Sequence, residues 1–83
     1  MYFVYVIQSV KDKKFYTGIT TNIKRRLNEH NRGLSSTPST KSRGPFKLIY
    51  FERYNTRIEA RRREKYLKSG AGREERKGLI RWV

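Results

Sequence analysis

A continuous run of β-branched and aromatic residues, YFVYVIQS at positions 2–9, is the feature that most constrains the fold of this chain. Such a run is typical of a strand that is buried on both faces and lies at the centre of a sheet. Because a chain of 83 residues can sustain only one hydrophobic core, every other element must pack around this strand. The sequence therefore predicts one domain over residues 1–83, built on a small sheet.

Two further segments have the pattern of strands. Residues 15–19 (FYTGI) follow a polar turn at 11–14, which predicts an antiparallel hairpin with Tyr5 and Tyr16 on neighbouring strands. Residues 46–54 (FKLIYFERY) alternate in hydrophobicity and predict a third strand. Its two faces are expected to carry different side chains, with Phe46, Leu48 and Tyr50 on one and Ile49 and Phe51 on the other.

A short helix is predicted directly after the hairpin. Asn22 is a suitable N-cap for residues 23–30, and the apolar stripe of this helix consists of Ile23 and Leu27. Arg26 and His30 share a second line at i,i+4 spacing. We expect that line to face the margin of the sheet rather than the core.

A second helix is predicted from a cap at Asn55 or Thr56 through Lys68. Glu64 lies between apolar positions on this helix rather than on its arginine-rich face. Gly70 and Gly72 are expected to stop this helix. A last short helix is expected over residues 73–79. An apolar cluster at 79–83 is expected to pack back onto the domain.

The predicted order is β-β-α-loop-β-α-α, an α/β fold in which helices flank a small three-stranded sheet, antiparallel or mixed. The loop, residues 34–45 (LSSTPSTKSRGP), is rich in Ser, Thr, Pro and Gly, which predicts an irregular segment. Two roles stay open for it at this point. It could close over phosphates when a ligand binds, or it could be an ordinary solvated connector.

The charge of the chain restricts its partners. With 21 Lys and Arg against 7 Asp and Glu, the formal net charge is +14, which favours binding to polyanions. Nucleic acid is the leading candidate, ahead of an anionic membrane, because no predicted helix has a broad apolar face opposite its basic face. The basic residues expected to contact it are Lys24, Arg25, Lys41, Arg43, Arg61 and Lys68.

Composition also excludes several kinds of site. The chain has no cysteine, which rules out disulfides, cysteine-based zinc sites and cysteine nucleophiles. One histidine argues against a metal site made of several histidines. No segment has the length and hydrophobicity of a signal peptide or a membrane span, so a cytoplasmic location is expected.

An ordered set of motifs resembles a known family. The set begins with Val4-Tyr5-Val6 and Tyr16-Thr17-Gly18, continues with Asn22, Arg26 and His30, and ends with Ala60-x-x-x-Glu64-x-x-x-Lys68. In this order and spacing it resembles the GIY-YIG nuclease superfamily. In particular it resembles the small single-domain, UPF0213-like branch, which is similar to the N-terminal nuclease domain of the excinuclease of nucleotide-excision repair. The resemblance covers nearly the whole chain.

The resemblance implies roles for individual residues. Tyr5 and Tyr16 match the tyrosines of the two motifs, and Arg26 matches the helix arginine that holds the scissile phosphate. His30 stands where relatives carry histidine or tyrosine. Glu64 matches the single carboxylate that binds one divalent cation, Mg²⁺ or Mn²⁺.

The chain also departs from the family pattern. The motifs read VYV and YTG rather than GIY and YIG, and Ile19 stands where some relatives carry a lysine. No asparagine follows Glu64, although several family nucleases use one near the end of the domain. Gly18 keeps the motif glycine, which the resemblance assigns to a tight backbone turn beside the site.

Each candidate residue also has a purely structural explanation. Glu64 could form an i,i+4 salt bridge with Lys68, worth only a few tenths of a kcal/mol. Both tyrosines could simply pack on the sheet, and Arg26 could be one more solvated arginine. A tyrosine has a pKa of about 10, so it needs a nearby cation such as Arg26 or a metal to act as a base. Which tyrosine takes the proton stays open, with His30 as a relay.

We therefore predict a metal-dependent endonuclease that hydrolyses DNA phosphodiester bonds with little base specificity, in DNA repair or processing. Branched and single-stranded substrates both remain open. DNA is favoured over RNA, and the protein is expected to be a monomer. The alternative is a catalytically weak or inactive nucleic-acid-binding module of the same fold.

Overall fold

A computed structural model describes residues 1–32 and 45–80. Its elements follow the predicted order. They are β1 (Tyr2–Ser9), β2 (Phe15–Thr20), α1 (Ile23–Asn31), β3 (Phe46–Tyr54), α2 (Arg57–Lys68) and α3 (Gly70–Ile80). The sheet order is β2-β1-β3 and both pairs are antiparallel, which confirms the predicted α/β fold and makes this sheet antiparallel rather than mixed. The predictions for the loop at 34–45 fall outside the described residues except at Pro45, and those for the cluster at 79–83 concern side chains that are not described.

Strand β1 is the centre of the sheet, as its apolar sequence predicts. It pairs with β2 on one side and β3 on the other, and Val4, Val6 and Ile7 are fully buried. The hairpin between β1 and β2 is also confirmed. Its turn contains Lys13 at a φ of 64°, and the Lys13 amide donates to the Ser9 carbonyl at 2.9 Å.

The two faces of β3 differ from the prediction because the strand contains a β-bulge. Val6 pairs with Tyr50 and Ile7 pairs with Leu48, so Ile49 has no partner on β1. An extra residue shifts the alternation of side chains by one position. Phe46, Leu48 and Phe51 therefore share one face of the sheet, and Tyr50 lies on the other with Glu52.

Helices cover both faces of the sheet. On one face, Tyr5 and Ile7 pack with Leu27 of α1 and with Phe46. On the other face, Val4 packs against α2 through Ala60 and Leu67, which are fully buried. The N-cap of α1 is Asn22, whose side chain accepts a hydrogen bond from the Arg25 amide at 3.0 Å. The N-cap of α2 is Thr56, one of the two predicted candidates.

The prediction that glycines stop α2 was wrong. Helix α2 ends at Lys68, as predicted, but its C-cap is Ser69, and α3 begins at Gly70 rather than at the predicted residue 73. The Ser69 hydroxyl accepts a hydrogen bond from the Gly72 amide at 3.2 Å, which is the contact of an N-cap, and the Ser69 carbonyl accepts from Arg73 at 2.9 Å. One serine thus ends α2 and starts α3, and both glycines lie in the first turn of α3.

Candidate active site

A cavity of about 760 Å³ opens beside β2, one of the two edge strands of the sheet. The residues predicted to act in catalysis or metal binding all line it, and they come from β1, β2, α1 and α2: Tyr5, Tyr16, Arg26, His30 and Glu64. The two tyrosines share a face because Tyr5 pairs with Gly18, whereas Tyr16 pairs with Ile7, two residues further along β1. Residues that are distant in sequence thus converge on one cavity.

Gly18 has a different role from the backbone turn that the resemblance implied. It lies in the middle of β2, directly opposite Tyr5. A Cβ at this position would lie 2.6 Å from the Tyr5 hydroxyl oxygen and 2.8 Å from its Cζ, well inside van der Waals contact. The missing side chain of Gly18 therefore makes room for the Tyr5 ring.

His30 is buried rather than at the sheet margin, contrary to our expectation. Only 4% of it is exposed, and its ring packs edge-on against Phe46 at 5.9 Å between centroids. Its Nε2 atom lies 3.0 Å from the Tyr5 hydroxyl, at hydrogen-bond distance. Burial lowers the pKa of His30, and the positive charge of Arg26 lowers it further although Glu29 opposes this. The imidazole is therefore neutral at pH 7.

The pKa of Tyr5 moves in the direction opposite to the one we expected. Burial raises it above its ordinary value of 10.0, and this outweighs the lowering by the hydrogen bond and the charge of Arg26. Tyr5 is therefore protonated at neutral pH. Tyr16 is less buried, and its ring contacts Phe46 edge-on at 5.5 Å. Its hydroxyl has no hydrogen-bond partner among the residues that the structure describes.

Arg26 lies between the buried pair and solvent. Its side chain is 28% exposed, and its Nη1 atom lies 3.3 Å from a carboxylate oxygen of Glu29, one turn further along α1. The pKa of Arg26 is raised, first of all by its interaction with Tyr5, so the guanidinium stays charged. A planar cation that is held in place and reaches the cavity is suited to binding phosphate oxygens.

Glu64 reaches the cavity from α2 and is also part of an ion pair. Its side chain is 13% exposed, consistent with its position between the buried residues of α2. Lys68 Nζ lies 3.2 Å from one carboxylate oxygen, and Arg61 Nε lies 3.9 Å from the other. Glu64 thus forms the predicted salt bridge with Lys68 and also lines the cavity.

A comparison with known proteins shows the family to which this chain belongs. The family profile described as the GIY-YIG catalytic domain matches residues 1–77. The chain belongs to the GIY-YIG family. It is similar to a UPF0213 protein of Clostridium perfringens, with 43% identity over 68 residues that cover 82% of this chain and 71% of that protein. A UPF0213 protein of Syntrophus aciditrophicus is 39% identical over 79 residues, 95% of this chain and 88% of that one.

A solved structure shares the fold. The solution NMR structure of a UPF0213 protein from Bacillus halodurans has a TM-score of 0.55 and 34% sequence identity, and covers 95% of this chain and 85% of that one. Membership of the GIY-YIG family indicates a nuclease with a nucleic acid as its substrate.

Among the described helices, none combines the length and the hydrophobicity needed to span a bilayer.

GIY-YIG nucleases are generally metal-dependent, and the donor set here fits a hard cation that needs few protein ligands. In the described part of the chain no group of three or more His, Cys, Asp or Glu residues could form a cage for a metal. Glu64 offers one carboxylate at the cavity. Mg²⁺ typically keeps several waters and takes one or two carboxylates together with substrate phosphates. The cation would compete with Lys68 for this carboxylate.

The residues predicted to bind nucleic acid do not all lie at this cavity. Lys68 lines it, whereas Lys24 and Arg25 line two neighbouring depressions and Arg61 lies on the outer face of α2. Lys41 and Arg43 lie outside the described residues.

Two further cations line the cavity and were not predicted to do so. Lys14 was assigned only to the turn, although it precedes Tyr16 by two residues, the period of a strand, which could have placed it there. Arg73 lies in the first turn of α3. Recognising Ser69 as an N-cap would have revealed that helix start.

Proposed function

We propose that this protein is a metal-dependent endonuclease that hydrolyses DNA phosphodiester bonds with little base specificity. The observation that carries the proposal is the convergence of two tyrosines, a charged arginine, a buried histidine and one carboxylate on a single cavity. All five come from one chain, which supports action as a monomer and as one domain. The likeness of its motifs to the excinuclease of nucleotide-excision repair supports a role in DNA repair or processing.

The proposed roles follow from the position and charge of each group. Arg26 binds the scissile phosphate and offsets the charge that develops on its oxygens. Tyr16, whose hydroxyl has no partner among the described residues, contacts the attacking water. Tyr5 and His30 are both neutral and lie within hydrogen-bond distance of each other, and the pair holds that region in a fixed geometry. A cation on Glu64 would supply Lewis-acid stabilisation of the phosphoryl and leaving oxygens.

Cations around the rim of the cavity would hold the adjoining backbone. Lys14, Lys68 and Arg73 all line the cavity, and phosphate contacts of this kind do not depend on base sequence. This supports the proposed lack of base specificity.

The decisive experiment is a cleavage assay with labelled single-stranded, duplex and flapped DNA, and with RNA, in Mg²⁺ or Mn²⁺. We expect Glu64→Gln and Arg26→Ala each to lower the cleavage rate by about 100-fold or more, since each removes charge stabilisation of the transition state. Glu59→Gln, on the exposed side of the same helix, and Arg32→Ala, just after α1, are the matched controls and should cleave normally. Binding without cleavage in every metal would overturn the proposal.

A second candidate function is a nucleic-acid-binding module of the same fold. The observation in its favour is the ion pair that neutralises Glu64 with Lys68. This alternative predicts that the protein binds DNA without cleaving it in any metal, and that Glu64→Gln leaves its DNA affinity unchanged.

A further inference from the structure

A second depression lies on the same face of the sheet as Tyr5 and has a very different lining. It is a groove of about 550 Å³ between α1 and the strands, whose walls are mainly apolar: Phe3, Ile23, Leu27, Leu48 and Phe51. Phe3 and Phe51 are in edge contact, with ring centroids 6.1 Å apart and an angle of 66°. Lys24 is the one charged side chain among the described residues that line it.

The groove is made by the β-bulge at Ile49. Without the extra residue, Leu48 and Phe51 would project from opposite faces of β3. With it, both lie on the face covered by α1. Phe51 nevertheless remains 50% exposed. Exposing this much aromatic surface to water is unfavourable, which suits a side chain that is covered when a ligand binds.

A cationic notch connects the groove to the candidate active site. The notch is lined by Arg25, Arg26 and Arg57, together with Glu29, which pairs with Arg26. Arg26 also lines the catalytic cavity, and Thr21 lines both the notch and the groove. Within the part of the chain that the structure describes, neither Arg25 nor Arg57 forms an ion pair. Cavity, notch and groove are therefore neighbours that share lining residues, and we call the three together the track.

The groove and the cavity are lined by neighbouring turns of α1. Ile23 in the groove and Arg26 in the cavity are three residues apart on α1, about 4.5 Å along the helix axis. This axial separation is comparable with the rise of about 3.4 Å per nucleotide along the axis of duplex DNA. A phosphate at Arg26 thus leaves the base of an adjacent nucleotide within reach of the groove, with the unpaired arginines of the notch beside the connecting backbone.

We propose that the Phe3–Phe51 groove is a subsite for one unpaired nucleobase next to the phosphate held at Arg26. An anionic strand is the occupant that complements the surrounding cations, and a base is its apolar, planar part. A second copy of this chain is disfavoured as occupant because each copy has a formal net charge of +14. The base must be unpaired, since the face of a base inside a duplex is covered by its neighbours. The inference rests on the proposed function, because it needs a nucleic acid strand at Arg26.

The test measures binding rather than cleavage, by fluorescence anisotropy in EDTA. Three probes of equal length carry the same label: a single-stranded DNA, a strand with abasic sites throughout, and a duplex. Loss of stacking in Phe51→Ala should lower affinity for the single strand by about 5- to 100-fold. Affinity for the abasic strand and for the duplex should stay within twofold. Phe51→Leu keeps the apolar volume but has no ring, so it should behave like Phe51→Ala.

Tyr66→Ala is the matched control, because Tyr66 is an aromatic residue with 41% exposure that lines neither the groove nor the cavity. Single-strand affinity that is unchanged in Phe51→Ala, or that falls equally for the abasic strand, would overturn the inference. So would a wild-type dimer in sedimentation that Phe51→Ala dissociates, since the groove would then bind a second copy. A protein that cleaves nothing but shows the Phe51 effect would refute the proposed function alone.

Discussion

The most buried groups of the candidate site are the least able to carry charge. Burial raises the pKa of Tyr5 and lowers the pKa of His30, so both are neutral when they share a hydrogen bond at pH 7. A charged form of either would be costly without a compensating partner. Charge in the site is therefore carried by Arg26 and Glu64, at its more exposed edge, and the Tyr5–His30 pair provides geometry.

That geometry depends on the absence of a side chain at Gly18. In Gly18→Ala the new Cβ would lie 2.6 Å from the Tyr5 hydroxyl oxygen and 2.8–3.1 Å from two ring atoms, and would push the side chain away from His30. We expect a loss of about 1–3 kcal/mol in the free energy of unfolding, measured by urea denaturation, together with slower cleavage. In a Tyr5→Leu background, where the colliding atoms are gone, the same change should cost much less. Equal costs in both backgrounds would refute this explanation.

The sequence predicted which residues form the site better than it predicted how buried each of them is. The order and spacing of Tyr16, Arg26 and His30 resemble the motifs of the GIY-YIG family, and that resemblance predicted that they lie together. The burial of His30 could not be predicted from helical phase alone, because the residue that covers it, Phe46, comes from β3. The role of Gly18 likewise depends on strand register, which pairs it with Tyr5.

At the scale of elements, the sequence predicted their number, type and order, and the differences arise at two junctions. The bulge at Ile49 leaves the hydrophobic pattern intact while changing which face each side chain occupies, so alternation alone could not detect it. The other junction is Ser69. Gly70 and Gly72 are typical of a helix end, whereas the capping contact of Ser69 makes them the start of the next helix.

Gly72 is required where α3 packs against the last turn of α2. A Cβ there would overlap the carbonyl group of Tyr66 and the Cα of Leu67, which are backbone atoms that cannot rotate away. We expect Gly72→Ala to destabilise the protein by about 1–3 kcal/mol or more in thermal or urea unfolding. Gly78→Ala in the same helix is the control, since its Cβ would meet nothing within 4 Å and should stabilise by up to about 1 kcal/mol. Similar losses in both variants would contradict the packing argument.

For the whole molecule, one largely buried carboxylate joins the sheet to both helices on the face opposite the groove. Glu52 of β3 accepts two hydrogen bonds from the Arg63 guanidinium, at 2.9 and 3.0 Å, and Arg63 also pairs with Glu75 of α3. The hydroxyl of Tyr54 donates to Glu52 at 2.6 Å, and Tyr50 donates to its other oxygen. Burial and these bonds raise the pKa of both tyrosines to about 12. In a chain with so few acids, this network holds α2 and α3 to β3.

The Glu52 network should make stability depend on pH in a defined direction. Burial alone would raise the pKa of Glu52, but the hydrogen bonds from Arg63, Tyr50 and Tyr54 outweigh it and lower the pKa below 4.5. Because the folded pKa lies below the unfolded one, the stabilisation is complete above about pH 4.5 and is lost as pH falls through the folded value.

Glu52→Gln tests this directly. It removes the charge that Arg63 needs, so we expect a loss of about 1.5–3 kcal/mol at pH 7 in urea unfolding followed by circular dichroism. The variant should also lose less stability than wild type between pH 5 and pH 2, on the order of its own deficit at neutral pH, since it has no carboxylate to protonate there. Glu74→Gln should follow the wild-type curve throughout, because the Glu74 side chain is 75% exposed and its one ion pair among the described residues is with the similarly exposed Lys77. If Glu52→Gln and wild type lose stability in parallel as the pH falls, the network is not what makes the folded state sensitive to acid.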